Sequence, residues 1–187
     1  VKTNNTGSIQ ACSCTQIAQD STVPPVVLWN RLTVDCVRRQ LPATGAVVVR
    51  RAHGAATSDL AAVRAIAEAC GWAGGSGGKR FAAAGIVAEL RSRPGRLVQA
   101  WLATVDAVGP PVGLVTLVVA GPPPGRCSIG WLLVHPSARR HGVATALVLR
   151  AFERAWALGH DRVCVETLPS WTDAVAFWHA MGFVAQA

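Results

Sequence analysis

Long apolar runs are missing from this chain, and with them any helix of the roughly 20 apolar residues that a bilayer requires. The most apolar window, Pro111 to Ala120, carries Gly113 and Thr116 and reads as a strand. No basic segment followed by an apolar core opens the sequence, so no secretory leader is expected and a cytoplasmic protein is the default. Lysine occurs only at positions 2 and 79, and the net charge of +8 therefore rests on arginine. Those arginines are dispersed, without an aromatic-interleaved stripe, so neither nucleic acid nor a membrane is expected as a partner. Cysteine is present six times but lacks zinc spacing, since Cys12-Ser-Cys14 has a single intervening residue and no second pair. No metal and no structural disulfide is expected. Cys70, Cys127 and Cys164 stand among apolar residues and read as small buried hydrophobes.

What is present suits one folded domain. The chain has 187 residues, 51% of them apolar, enough to bury a sizeable core. Residues 1–45 are set apart as an N-terminal extension. Their first half is small and polar, Val23 to Trp29 reads as extended because both prolines disfavour helix, and Leu28, Leu32, Cys36 and Val37 suggest a short helix. From residue 46 the pattern turns to alternating elements. Ala46 to Arg50 is a strand, and a helix follows whose cap is expected at Thr57 or Ser58, with Asp59 in its first turn. Leu60, Val63, Ile66, Ala67 and Cys70 form its buried face.

The glycine-rich run from Gly71 to Gly78 precedes Lys79, yet it is not a nucleotide loop. Ala73 stands where a glycine is needed six residues before the lysine, and Arg80 where a Ser or Thr is needed after it. A second helix over Phe81 to Leu90 leads to strand-like runs at Leu97–Val105, Val112–Val119 and Cys127–Val134. A long helix stopped by Gly159, a strand from Arg162 to Thr167, a helix from Asp173 to Met181 and a last short strand complete the order β-α-α-β-β-β-α-β-α-β.

The informative stretch runs from Trp131 to Leu147. Pro136 removes a ladder donor and forces the chain out of the sheet. Arg139, Arg140 and His141 then lead into Gly142, where a missing side chain lets backbone approach a ligand closely. Val143, Leu147, Ala151, Ala155 and Leu158 follow at helical spacing. A helix start with free N–H groups and a positive dipole end holds an anion well.

Arg139-x-x-Gly142-x-Ala144 after a Val-x-Pro strand end resembles the acyl-CoA signature of the GCN5-related N-acetyltransferases (GNAT). Ala174-x-x-x-Trp178 with Gly182-Phe183 is similar to the closing helix of the same family. The resemblance covers residue 46 to the end and implies a single α/β mixed-sheet GNAT fold, with residues 46–187 as the domain and 1–45 as an atypical extension. It implies acetyl-CoA as cosubstrate and direct transfer of its acetyl group to a primary amine, on a small molecule or a protein. The backbone of Arg139, Arg140, His141, Gly142, Val143, Ala144 and Thr145 would hold the pyrophosphate. Main-chain groups of Leu132, Leu133 and Val134 would pair with the pantetheine arm, and an N–H at Leu133 or Val134 would meet the oxyanion.

Glu166 is the first candidate to take the proton of the amine, with Cys164 on the same strand face, and His135 is the second. Trp178 stands where the family often has Tyr, and Trp171 where Asn is frequent. An indole donates a hydrogen bond but keeps its proton near neutral pH. The competing reading is therefore an acyl-CoA-binding or regulatory module without turnover. Few residues follow Gly182, so the sheet needs another strand at its end, from Val23–Trp29 or from a second copy in a homodimer.

Overall fold

The computed structural model of the chain describes residues 24–33, 47–53, 56–70, 83–90, 94–106, 108–121 and 125–185. Their strands are β1 (Val26–Arg31), β2 (Val47–Arg51), β3 (Arg96–Val105), β4 (Gly113–Ala120), β5 (Arg126–Val134), β6 (Arg162–Thr167) and β7 (Val184–Ala185). They join in one sheet in the order β2-β3-β4-β5-β6-β1-β7. Every neighbouring pair is antiparallel except β5 and β6, which run parallel. The helices are α1 (Thr57–Ala69), α2 (Ala83–Glu89), α3 (Val143–Ala157) and α4 (Thr172–Ala180). The cysteine pair at 12 and 14 and the glycine-rich run at 71–78 lie outside the described residues.

Helices cover both faces of the central strands, which explains why β4 is buried from Gly113 through Val118 without alternation. Trp101, Ala103, Val115 and Leu117 meet Leu147, Ala151 and Phe152 of α3 on one face. Ala100, Leu102, Leu114 and Leu133 meet Val63, Ile66 and Ala67 of α1, with Ile86 of α2, on the other. Val143, Leu147, Ala151 and Ala155 of α3 are all buried, as their spacing predicts. Burying a side chain such as Leu147 contributes about 1.5–3 kcal/mol. The start of α3 presses close to the sheet at Gly113, where a β-carbon would meet Val143 Cγ1 at 2.7 Å and Leu147 Cδ1 at 2.9 Å.

Two sequence expectations need correction. Leu28 and Leu32 do not share a helical face, because Leu28 lies in β1 and the residues beyond 33 are not described. β1 is held by hydrogen-bonded neighbours on both sides, and that pairing decides over the i,i+4 spacing. The cap of α1 is Ala56, in extended conformation and without a side-chain bond. Asp59 instead turns inward, accepting Arg50 Nη2 at 2.6 Å, Arg50 Nη1 at 3.1 Å and the His53 N–H at 2.7 Å.

The need for another strand is met from within the chain. β1 pairs with β6 along its whole length, from Val26 opposite Thr167 to Arg31 opposite Arg162. Among the described residues, β7 reaches the sheet through β1, at Leu28 and Trp29. Asn30, 3% exposed, fastens this corner by donating from Nδ2 to the Met181 carbonyl at 2.8 Å.

Candidate active site

The site is made by two neighbouring strands that stop pairing. β5 meets β6 only at Ser128–Cys164 and Ile129–Val165, although both strands run further. A register shift between Val115 and Leu117 bends the β4–β5 ladder at the same level. Thr116, 1% exposed, repairs that break by accepting the Trp131 N–H on its hydroxyl at 2.7 Å. The indole of Trp131 is fixed in turn by Glu89 of α2, Nε1 to Oε2 at 2.5 Å. Beyond Ile129 the strands diverge and leave a cleft of about 760 Å³, walled by the end of β5, the start of α3, the end of β6 and α4.

Trp131 sends its N–H to Thr116 and His135 sends its own to Val112 at 2.7 Å, both toward β4. Leu133 lies between them in phase, so Leu132 and Val134 turn their main-chain groups to the cleft. Of the three residues expected to pair with an arm, Leu133 thus turns its main-chain groups to β4, and its side chain is buried in the cluster with α1 and α2. The Val134 carbonyl already accepts Cys70 Sγ at 3.2 Å and Arg139 Nε at 3.4 Å. Burial pushes the Cys70 thiol above its usual range, with Arg139 acting in the opposite sense.

Pro136 opens a 3-10 turn over Pro136–Ala138, capped by His135, whose Nδ1 accepts the Ser137 N–H at 3.2 Å and lies 2.7 Å from Ser137 Oγ. His135 is outside the cleft wall, as is His141, whose Nδ1 meets the Arg139 carbonyl at 2.8 Å. Arg140 and Gly142 both take positive φ, 67° and 77°, turning the chain sharply into α3. The Gly142 carbonyl accepts the Ala146 N–H at 2.9 Å, so the N–H groups of Val143, Ala144 and Thr145 precede the helical ladder. These three residues line the cleft beside Arg139, Arg140 and Gly142. Among the described residues, and apart from its chain neighbours, no atom lies within 4 Å of where a Gly142 β-carbon would stand. Free donors, a dipole end, two guanidinium groups and this open approach fit a pyrophosphate.

On the opposite wall, Glu166 is 7% exposed at its side chain and pairs with Arg126 Nη2 at 3.0 Å. Arg126 also donates from Nε to Cys164 Sγ at 3.1 Å and lies over the Trp29 ring, 5.7 Å from its centre. Sequence reasoning placed Cys164 and Glu166 on one face, and their shared contact with Arg126 agrees. Arg126 carries no signal in the sequence, since the parallel pairing of β5 and β6 brings it there. Trp178 is 5% exposed, edge-on to Phe177 and Phe183 at 5.1 and 5.0 Å. It belongs to the core and also lines the cleft. Thr167 is 3% exposed in the same wall, and its Oγ1 has no hydrogen-bond partner.

The described cysteines Cys70, Cys127 and Cys164 are free thiols. Burial, with Cys164 nearby, pushes Cys127 up to about 12, which leaves it unreactive. Among the described residues no group of three His, Cys, Asp or Glu side chains could hold a metal ion, and no helix is long and apolar enough to cross a membrane.

Solved structures share this architecture. A tandem GNAT protein from the clavulanic acid biosynthesis pathway, determined without AcCoA, aligns with a TM-score of 0.61 at 20% identity, covering 99% of this chain and 59% of that one. The chain thus spans 59% of that protein's length. AAC(6')-Iy in complex with the bisubstrate analogue CoA-S-monomethyl-acetylneamine gives 0.57 at 18% identity, covering 76% of this chain and 93% of that one. The ribosomal-protein-S18-alanine N-acetyltransferase of Escherichia coli gives 0.57 at 16% identity, covering 76% and 80% respectively. No curated protein matches. The model of the acetyltransferase (GNAT) family matches residues 80–183, more than half of the 187 residues, and the chain belongs to that family.

Proposed function

We propose that this protein transfers an acetyl group from acetyl-CoA to a primary amine by direct attack. The observation that carries the reading is the divergence of β5 from β6, which opens a slot leading straight to the Gly142-capped start of α3. The N–H groups of Val143, Ala144 and Thr145, with Arg139 and Arg140, hold the cofactor's pyrophosphate. Main-chain groups of Leu132 and Val134 hold the pantetheine arm, and the Val134 N–H stabilises the oxyanion. A preorganised donor of this kind is worth about 10²–10³ in rate. Glu166 takes the proton that the amine loses as its nitrogen bonds the carbonyl carbon and the carbon–sulfur bond breaks. Residues 46–187 form the acetyltransferase unit, to which the 1–45 extension lends β1.

The acceptor is a primary amine on a small molecule or on a protein. The solved relatives include an enzyme bound to an acetylneamine analogue and one named for an alanine of a ribosomal protein, so the fold accommodates both classes. Titration calorimetry with CoA and acetyl-CoA, followed by a thiol-release assay over a panel of amines, tests the proposal. Binding of both ligands and release with at least one amine are expected. Binding without release would instead support the acyl-CoA-binding module, the reading that Trp178 favours because its indole keeps its proton. Absence of binding would overturn both.

A further inference from the structure

Thr167 closes β6 and stands two residues beyond Val165, the last position on that strand paired with β5. Strand alternation puts its side chain on the face of Val163 and Val165, both packed in the core with Trp178 and α3. The far edge of β6 is occupied at this level, because Val26 of β1 lies opposite Thr167. The near edge is where β5 has moved away. Thr167 is therefore set at the mouth of the gap, on the α4 side, in a cleft wall that it shares with Trp178.

A hydroxyl is an expensive choice at such a position. Its Oγ1 is buried without a hydrogen-bond partner, so folding strips it of water and returns nothing. Valine has the same shape and suits a buried strand better. A single staggered step about χ1 carries Oγ1 to the place of Cγ2 and Cγ2 to the place of the β-hydrogen, which turns the hydroxyl by about 120° without backbone movement. Beside it, Trp178 supplies a ring and no acidic proton, and the chain contains no tyrosine at all.

We propose that the Thr167 hydroxyl donates a hydrogen bond to the thioester sulfur of bound acetyl-CoA and stabilises the thiolate as it leaves. The inference rests on the acetyl transfer proposed above. The amine nitrogen bonds the carbonyl carbon, the carbon–sulfur bond breaks, and its electron pair goes to sulfur. The proton released by nitrogen passes to Glu166 and reaches sulfur through solvent, while Thr167 keeps its own proton throughout.

Thr167→Val and Thr167→Ser in the full chain test this. Thr167→Val is expected to melt at or above the wild-type temperature and to bind acetyl-CoA within about twofold of it, while kcat falls about tenfold or more. The thiol of bound CoA, followed by the ultraviolet absorbance of its thiolate, should titrate at higher pH in Thr167→Val than in wild type. Thr167→Ser should stay close to wild type in both measurements. Wild-type kcat and wild-type thiol titration in Thr167→Val would overturn the proposal. So would a loss of CoA affinity in step with kcat, which marks a packing role. A wild-type chain that binds CoA but acetylates no amine would sink the transfer reading, and the thiol titration would then decide Thr167 by itself. Failure of the wild type to bind CoA would sink both.

Discussion

Gly142 is where a positive φ and an open approach coincide. Its φ of 77° disfavours any β-carbon, and the space such a carbon would enter is clear of the other described residues. Gly142→Val therefore strains the turn and sets a branched side chain before the N–H groups of Val143, Ala144 and Thr145. The expected result is at least about a tenfold loss of acetyl-CoA affinity by calorimetry, with strain of about 1–2 kcal/mol. Unchanged affinity would mean that the pyrophosphate is held elsewhere. The turn was legible from sequence because a glycine between a basic turn and an apolar helical stripe marks where the strand gives way to a helix. Glu166 was legible only as a carboxylate on a strand; its ion pair with Arg126 came from the fold. Thr167 carried no sequence signal, since a threonine ending a β-branched run looks like strand propensity.

Among the elements, β2 and α1 are joined by one ionic clasp. Arg50 grips Asp59 with both terminal nitrogens, and the His53 N–H adds a third bond. The Arg50 guanidinium holds the Asp59 carboxyl below the usual carboxylate range, against the opposing pull of burial. A lowered native pKa stabilises the fold above the unfolded carboxyl value of about 3.9, and the benefit is lost as pH falls through the native value. Asp59→Asn should cost about 1–2 kcal/mol at neutral pH, less than the roughly 1.5–3 kcal/mol of a charged hydrogen bond because Arg50 is half exposed and solvent screens the pair. In thermal melts against pH, the gap between variant and wild type should close below about pH 4. A gap that persists there would show that packing, not charge, sets the effect. The sequence suggested Asp59 as a residue of a helix's first turn, which it is, but its partner sits on the preceding strand.

At the scale of the molecule, the first described strand, β1, completes the sheet beside the last strand. β1 fills the place between β6 and β7, so the corner that holds Glu166, Thr167 and the end of α4 depends on residues far away in sequence. Asn30→Ala removes the bond to the Met181 carbonyl and should cost about 1–3 kcal/mol. Hydrogen exchange should speed first in β7, which among the described residues pairs with β1; uniform acceleration would argue that β1 is not the weak link. Taken by itself, the sequence determined the order of the elements from residue 46 onward and the strand, turn and helix start around Gly142. Those features act over a few residues, through a proline that ends a ladder, a glycine that takes positive φ and an apolar face at helical spacing. Only the tertiary structure decided how far β5 separates from β6, which alternate main-chain groups face the cleft, what Glu166 pairs with and why Thr167 is left without a partner. Each of these depends on contacts between distant segments, and no local pattern encodes them.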